Sequence, residues 1–192
     1  MTAAIKGELL ILLKMLRGRS RNGTHQQQLE DFYKAQAECY DSFRERLLHG
    51  RRELIEQMQI LPENTIVELG GGTGRNLHYL EYPLQQFRSI EIVDLCSSLL
   101  AVARRHYGDM KNIRVVEADA TIYRPEHPVD RVLFSYALTM IPDWKKAINN
   151  AIEMLKPGGL IGVVDFYVSD NKSDKVQVQH NYILRKFWQT WF

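Results

Sequence analysis

The chain has 192 residues, a net charge of +2, and 45% hydrophobic and 25% charged residues. This composition is globular and excludes collagenous and low-complexity chains, and the near-zero charge excludes a uniformly polybasic nucleic-acid binder. The length fits one core that needs no staple, and two cysteines, Cys39 and Cys96, in no metal or redox spacing point to a reducing, cytoplasmic compartment.

In chain order, the N-terminus comes first. Between Met1 and His25 it carries Lys6, Lys14, Arg17, Arg19 and Arg21 against one acid, Glu8. The apolar run from Leu9 to Leu13 is too short to span a bilayer, which takes about 20 apolar residues. Arginines follow it where a signal peptide would place small residues. Two readings stand: a helix packed on its own domain, or a basic helix lying on an anionic membrane surface. Ser20 to His25 reads as a linker. From Gln26 to about Ile60, Leu29, Phe32, Tyr33, Ala37, Tyr40, Phe43 and Leu47 recur at helical spacing. Residues 1–60 therefore read as an N-terminal helical cap and residues 61–192 as the main domain.

After the turn at Pro62 the texture becomes alternating. Strands are predicted at Thr65–Leu69, Ser89–Leu95, Ile113–Ala118, Val129–Ser135 and Leu160–Val168. Helices are predicted at Asn76–Leu80, Leu99–Tyr107, Trp144–Leu155 and Tyr182–Phe192. Strands alternating with helices predict an α/β fold with a mostly parallel sheet flanked by helices, and ligands bind such sheets beyond the carboxyl ends of the strands. The strand ends are therefore the positions to read.

The first strand ends in Glu68-Leu69-Gly70-Gly71-Gly72-Thr73-Gly74. A glycine turn between a strand and a helix lets a ligand approach the backbone. A dinucleotide fingerprint started at Gly70 would need a third glycine where Arg75 stands, which argues against a nicotinamide oxidoreductase. The acid beside the turn suits a ligand with an amino group and no phosphates. Asp94, followed by Leu95, closes the second strand, where an acid accepts ribose hydroxyls or caps the next helix. Asp119 and Ala120 close the third strand and could meet an adenine amino group; a solvated turn is the other reading. Ser135 and Tyr136 close the fourth and could wall a cofactor cleft. Lys156-Pro157-Gly158-Gly159 reads as a helix stop and turn.

These residues together resemble a class I S-adenosylmethionine-dependent methyltransferase, over roughly residues 61–168. The resemblance implies a Rossmann-like sheet, S-adenosylmethionine as cofactor, Glu68, Gly70 and Gly72 around its methionine portion, Asp94 on the ribose, and Asp119 with Ala120 at the adenine. Gly71, Gly74, Leu95, Ser135 and Tyr136 complete the expected cofactor set. The family's sheet closes with a β-hairpin for which this sequence shows no strands, so the chain is expected to be part of a longer protein or to have its sheet completed by a partner.

The strings FYKAQAECYDSFRERLLHGR, SYALTMIPDWKKAI and NYILRKFWQTWF are similar to the N-methyltransferases of betaine-lipid synthesis, which implies the amino group of diacylglyceryl-homoserine as acceptor. Tyr33, Tyr40 and His49 are the candidate catalytic groups on the acceptor side: tyrosines position an amine or stabilise a methylated ammonium, and His49 or Tyr40 accepts a proton. The same tyrosines at helical spacing also fit a plain core. Arg44, Arg46, Arg51 and Arg52 could hold a carboxylate or phosphate, or form a solvated face. No histidine spacing suggests a metal. The expected partners are an amine-bearing lipid or small acceptor and an anionic membrane surface, without nucleic acid, in the cytoplasm or peripheral on the membrane. The alternatives are a quinone ring carbon, phosphatidylethanolamine or a small amine as acceptor, or a non-catalytic adenosyl-binding module.

Overall fold

The computed structural model describes residues 23–35, 37, 40, 41, 45 and 48–166. The basic N-terminal stretch, the predicted C-terminal helix, Cys39, Arg44 and Arg46 lie outside the described residues.

Strand β1 (Thr65–Leu69) is the middle of a five-stranded sheet with β2 (Ser89–Asp94), β3 (Ile113–Glu117), β4 (Val129–Ser135) and β5 (Leu155–Val164). The order is β3-β2-β1-β4-β5 and every pairing is parallel. All five β1 residues are buried, as expected for a central strand covered on both faces. The side-chain alternation of a strand then divides the core. Ile66, Ile90, Ile92 and Leu133 pack with helix α2 (Arg51–Gln57) and helix α3 (Ser97–Tyr107). Val67, Leu69, Val93, Val132 and Phe134 pack with helix α4 (Trp144–Met154).

The helix α1 (His25–Tyr33) begins with a reciprocal cap, Gln27 N–H to Thr24 Oγ1 at 3.3 Å and Thr24 N–H to Gln27 Oε1 at 2.8 Å. It lies on α3, with Leu29 beside Leu99, Val102 and Cys96. Glu30 clasps the start of α3, accepting from Ser98 N at 3.1 Å, from the Ser98 hydroxyl and from Cys96 Sγ at 3.4 Å. A carboxylate at a helix N-terminus is favourable because the first N–H groups have no intrahelical partner. Burial alone would raise the Glu30 carboxyl, yet the Ser98 and Cys96 donors hold it below its usual value.

Three expectations change in the structure. The predicted helix over residues 26–60 is interrupted: Gly50 adopts φ +82° ahead of α2, and Leu48 and His49 are not helical. The predicted helix at Asn76–Leu80 is a 3-10 turn, Arg75–Tyr79. The LKPGG turn lies inside β5 rather than before it. Leu155 pairs with Val129 and Leu160 with Arg131, so residues 156–159 bulge out of the ladder, with Gly158 at φ +79°.

That bulge positions Lys156. At the amino ends of the strands, Asp130 Oδ2 accepts from Thr65 N at 2.8 Å, Thr65 Oγ1 at 2.7 Å and Lys156 Nζ at 2.8 Å, tying β1, β4 and β5. Burial works against ionisation, but the Lys156 and Thr65 donors prevail and pull the Asp130 carboxyl down to about 2. A depressed folded value stabilises the fold above the unfolded value and stops doing so as pH falls through the folded one. Asp130→Asn is therefore expected to cost about 2 kcal/mol at neutral pH. In urea titrations the gap between wild type and variant should hold from pH 7 to about 4 and then shrink toward pH 2.

Candidate active site

A cavity of about 260 Å³ opens at the carboxyl ends of β1, β2, β3 and β4 and is covered by α1. The glycine turn forms its floor. Gly70 N and Gly71 N both donate to Val93 O, at 2.8 and 3.0 Å, so the turn folds across the end of β2. Gly70 has φ +72°, and a Cβ there would stand 2.5 Å from Ala137 Cβ. Only a residue without a side chain permits this approach between the ends of β1 and β4.

Asp94 then fastens the turn to α3. Its Oδ2 accepts from Gly72 N at 2.9 Å and its Oδ1 from Cys96 N at 2.8 Å. Asp94 thus ties the turn to the residue ahead of α3 and also lines the cavity. Asp119 Oδ1 accepts from Thr121 N at 2.8 Å, an Asx turn that fixes the carboxylate at the end of β3. Asn150 of α4 holds the same loop by donating to Ala120 O and Tyr123 O, at 2.8 and 2.9 Å.

Of the sequence-predicted cofactor residues, Gly70, Gly72, Asp94, Leu95, Asp119, Ala120 and Tyr136 line the cavity. Gly71 and Gly74 shape the turn without lining it. Ser135, the last residue of β4, is buried and does not line it. Glu68 also lies outside the lining. It is 1% exposed beneath the turn and accepts from Asn76 Nδ2 at 2.6 Å. Strand parity explains this: Glu68 shares the face of Ile66, toward α2. Tyr107 supports the far end of the turn, donating to Gly74 O at 3.1 Å. Burial, then the nearby Glu68 charge, pushes its phenol up to about 12, so it stays a donor at neutral pH.

Of the predicted catalytic residues, Tyr33 and Tyr40 line the cavity and meet edge to face, with ring centroids 5.2 Å apart. His49 does not. Its residue is exposed, and its backbone carbonyl accepts the Tyr136 hydroxyl at 2.6 Å. Tyr136 has φ +54°, unusual for a side chain of this size, and is held by Tyr136 N to Val164 O at 2.7 Å and by a ring contact with Phe166. Sequence reading missed His25, Thr121, Met140 and Lys146, which also line the cavity. His25 opens α1 and Lys146 lies in the first turn of α4. Neither position carries a motif, and only the packing of α1 and α4 on the strand ends reveals them. Cys96 is buried, and burial pushes its thiol up to about 12. Among the described residues there is no cluster of three His, Cys, Asp or Glu side chains able to hold a metal, and no helix long and apolar enough to cross a membrane.

A parallel sheet ordered around a central first strand, with a glycine turn and acids at successive strand ends, defines the class I S-adenosylmethionine-dependent methyltransferase fold. Residues 66–159 match the family model described as a methyltransferase domain. The chain is similar to the ubiquinone/menaquinone biosynthesis C-methyltransferase UbiE of Vibrio cholerae, 30% identical over 109 residues, 55% of this chain and 42% of that protein. The UbiE of Hydrogenovibrio crunogenus is 28% identical over 121 residues, covering 60% and 47%. The chain spans less than half the length of these two relatives. A solved S-adenosylmethionine-dependent methyltransferase of Aquifex aeolicus superposes with a TM-score of 0.59 at 16% identity, over 73% of this chain and 77% of that one.

S-adenosylmethionine is the cofactor of this class, and the cavity fits it. Gly70 and Gly72 line its floor, and acids stand at the ends of β2 and β3 to meet hydroxyl and amino donors. Asp94 would hold the ribose and Asp119 the adenine. Bound there, the cofactor would supply a methyl group already activated on a sulfonium. Asp94→Asn is expected to weaken S-adenosylhomocysteine binding by about 10- to 100-fold in calorimetry, the scale of lost charge-assisted hydrogen bonds. Gly70→Ala, which forces both the positive φ and the Ala137 clash, should abolish detectable binding.

Proposed function

We propose that the chain is an enzyme that transfers the methyl group of S-adenosylmethionine to an acceptor held between the strand ends and α1. The observation that carries this reading is one cavity that joins Gly70, Gly72, Asp94 and Asp119 on its floor to Tyr33, Tyr40 and Tyr136 on its wall. The donor is pre-activated, so positioning and the exclusion of water supply most of the rate. α1 contributes by covering the cavity with Leu29 and Tyr33. The nucleophile must lose a proton, and the phenols of Tyr33 and Tyr40 are the protein groups proposed to orient it, with water as the final acceptor.

For the acceptor, the similarity to quinone C-methyltransferases supports a ring carbon of a quinone-type compound. A flat ring suits a wall of tyrosines, where offset and edge contacts are favourable. The amino group of diacylglyceryl-homoserine is the second reading. It is supported by the Tyr33–Tyr40 pair, whose aromatic faces attract a methylated ammonium, and by the bases of the N-terminal stretch, which suit an anionic membrane.

One assay separates the readings. Labelled S-adenosylmethionine is supplied with a membrane lipid extract containing both a demethylated quinol and diacylglyceryl-homoserine, and the products are resolved. Label in the quinone fraction supports the ring carbon, and label in a methylated homoserine lipid supports the amine. Cofactor binding with no label in any acceptor would contradict transfer and leave an adenosyl-binding module.

A further inference from the structure

The sheet sets the order of the groups along the cavity. Its strands run β3-β2-β1-β4-β5 and all point the same way. Asp119, Asp94, Gly70 and Tyr136, which close or follow β3, β2, β1 and β4, therefore stand in that order across the carboxyl edge, and all four line the cavity. Three strand spacings, about 14 Å of sheet, separate the first from the last. With adenine at Asp119 and ribose at Asp94, adenosine takes the β3 and β2 end. Tyr136 stands at the other end, and its neighbour Ala137 is the residue that a Cβ at Gly70 would meet.

Tyr136 holds that place against its backbone preference. Its φ of +54° is in the left-handed region, which disfavours a side chain and suits glycine or asparagine. Three contacts keep it there. Its N–H donates to Val164 O at 2.7 Å, its hydroxyl donates to His49 O at 2.6 Å, and its ring meets Phe166 with centroids 4.9 Å apart. The backbone bond would form with any residue but proline. His49 is exposed and Phe166 is 37% exposed, so neither contact completes a core that calls for a tyrosine. What the strained backbone secures is a phenol ring in the cavity wall, and strain of this kind gathers where a ligand is met.

We propose that Tyr136 is a specificity-determining residue for the methyl acceptor, whose reacting group packs on its ring, and is not a residue that binds S-adenosylmethionine. This deepens the transfer reading given above and rests on it. Tyr33 and Tyr40 come from the cover and Tyr136 from the sheet, so aromatic groups bound the acceptor end of the cavity from two elements. A flat ring and a methylated ammonium are the groups that such a wall holds. The hydroxyl proton goes to His49 O, which leaves the ring as the part that meets the acceptor.

The test uses the full chain, with S-adenosylhomocysteine in calorimetry and, in detergent micelles, demethylated quinol or diacylglyceryl-homoserine, whichever takes label. Tyr136→Asn suits the left-handed backbone and removes the ring. It is expected to raise the acceptor KM about tenfold or more while S-adenosylhomocysteine affinity stays within about twofold. Tyr136→Phe keeps the ring and loses the bond to His49 O, so its KM should rise by no more than about threefold. Equal KM rises in the two variants would show that Tyr136 only ties down His49. A matching loss of S-adenosylhomocysteine affinity in Tyr136→Asn would make it a cofactor residue, and an unchanged KM would show that the acceptor does not touch it; each of these overturns the proposal. If Tyr136→Asn does not fold, Tyr136→Gly decides by the same comparison. Wild-type protein that binds S-adenosylhomocysteine and labels neither acceptor would overturn the transfer reading and this inference with it, and wild-type protein that does not bind it would overturn the cofactor reading.

Discussion

The close approach of β1 to β4 at Gly70 is the constraint on which the rest of the site depends. A single methyl group there would meet Ala137 at 2.5 Å, and the backbone is left-handed at the same residue. Because Gly70 permits the contact, the turn can fold back to Val93 O and Asp94, and the cavity floor becomes backbone rather than side chain. Asp94 then serves two demands at once. Its bonds to Gly72 N and Cys96 N organise the turn and the start of α3, and the same residue lines the ligand space.

The cover over this floor is attached by polar clips more than by a large core. Glu30 clasps Ser98, Gln26 Nε2 donates to Glu117 Oε1 at 2.7 Å, and Thr73 Oγ1 donates to Asp41 Oδ1 at 2.6 Å. Arg75 Nε donates to Glu45 Oε1 at 2.6 Å. The apolar contact of α1 with α3 is confined to a small cluster around Leu29, Leu99 and Val102. Such an attachment opens at lower free energy than the sheet, which suits a segment that must admit a cofactor and an acceptor.

Much of this was legible in the sequence because a parallel sheet sends every strand the same way. Residues at the ends of the predicted strands, ELGGG, Asp94 and Asp119, must then share one edge, whatever the details between them. Side-chain direction was the harder part. Glu68 was expected at the ligand, but the two-residue period of β1 turns it toward α2. The interruption near Gly50 was hidden because two successive helices share one apolar spacing, although the glycine itself was a signal. Arg75–Tyr79 forms only a 3-10 turn before Pro83 closes the connection to β2. Nothing local marks His25 or Lys146, since both reach the cavity through tertiary packing.

The central claim is that the cavity over Gly70, Gly72 and Asp94 is an S-adenosylmethionine site. The most direct measurement is competitive titration of the wild-type chain with S-adenosylhomocysteine and with NADH. The account predicts saturable, one-to-one binding of S-adenosylhomocysteine that excess adenosine displaces and NADH does not. Tight NADH binding without S-adenosylhomocysteine binding would contradict it.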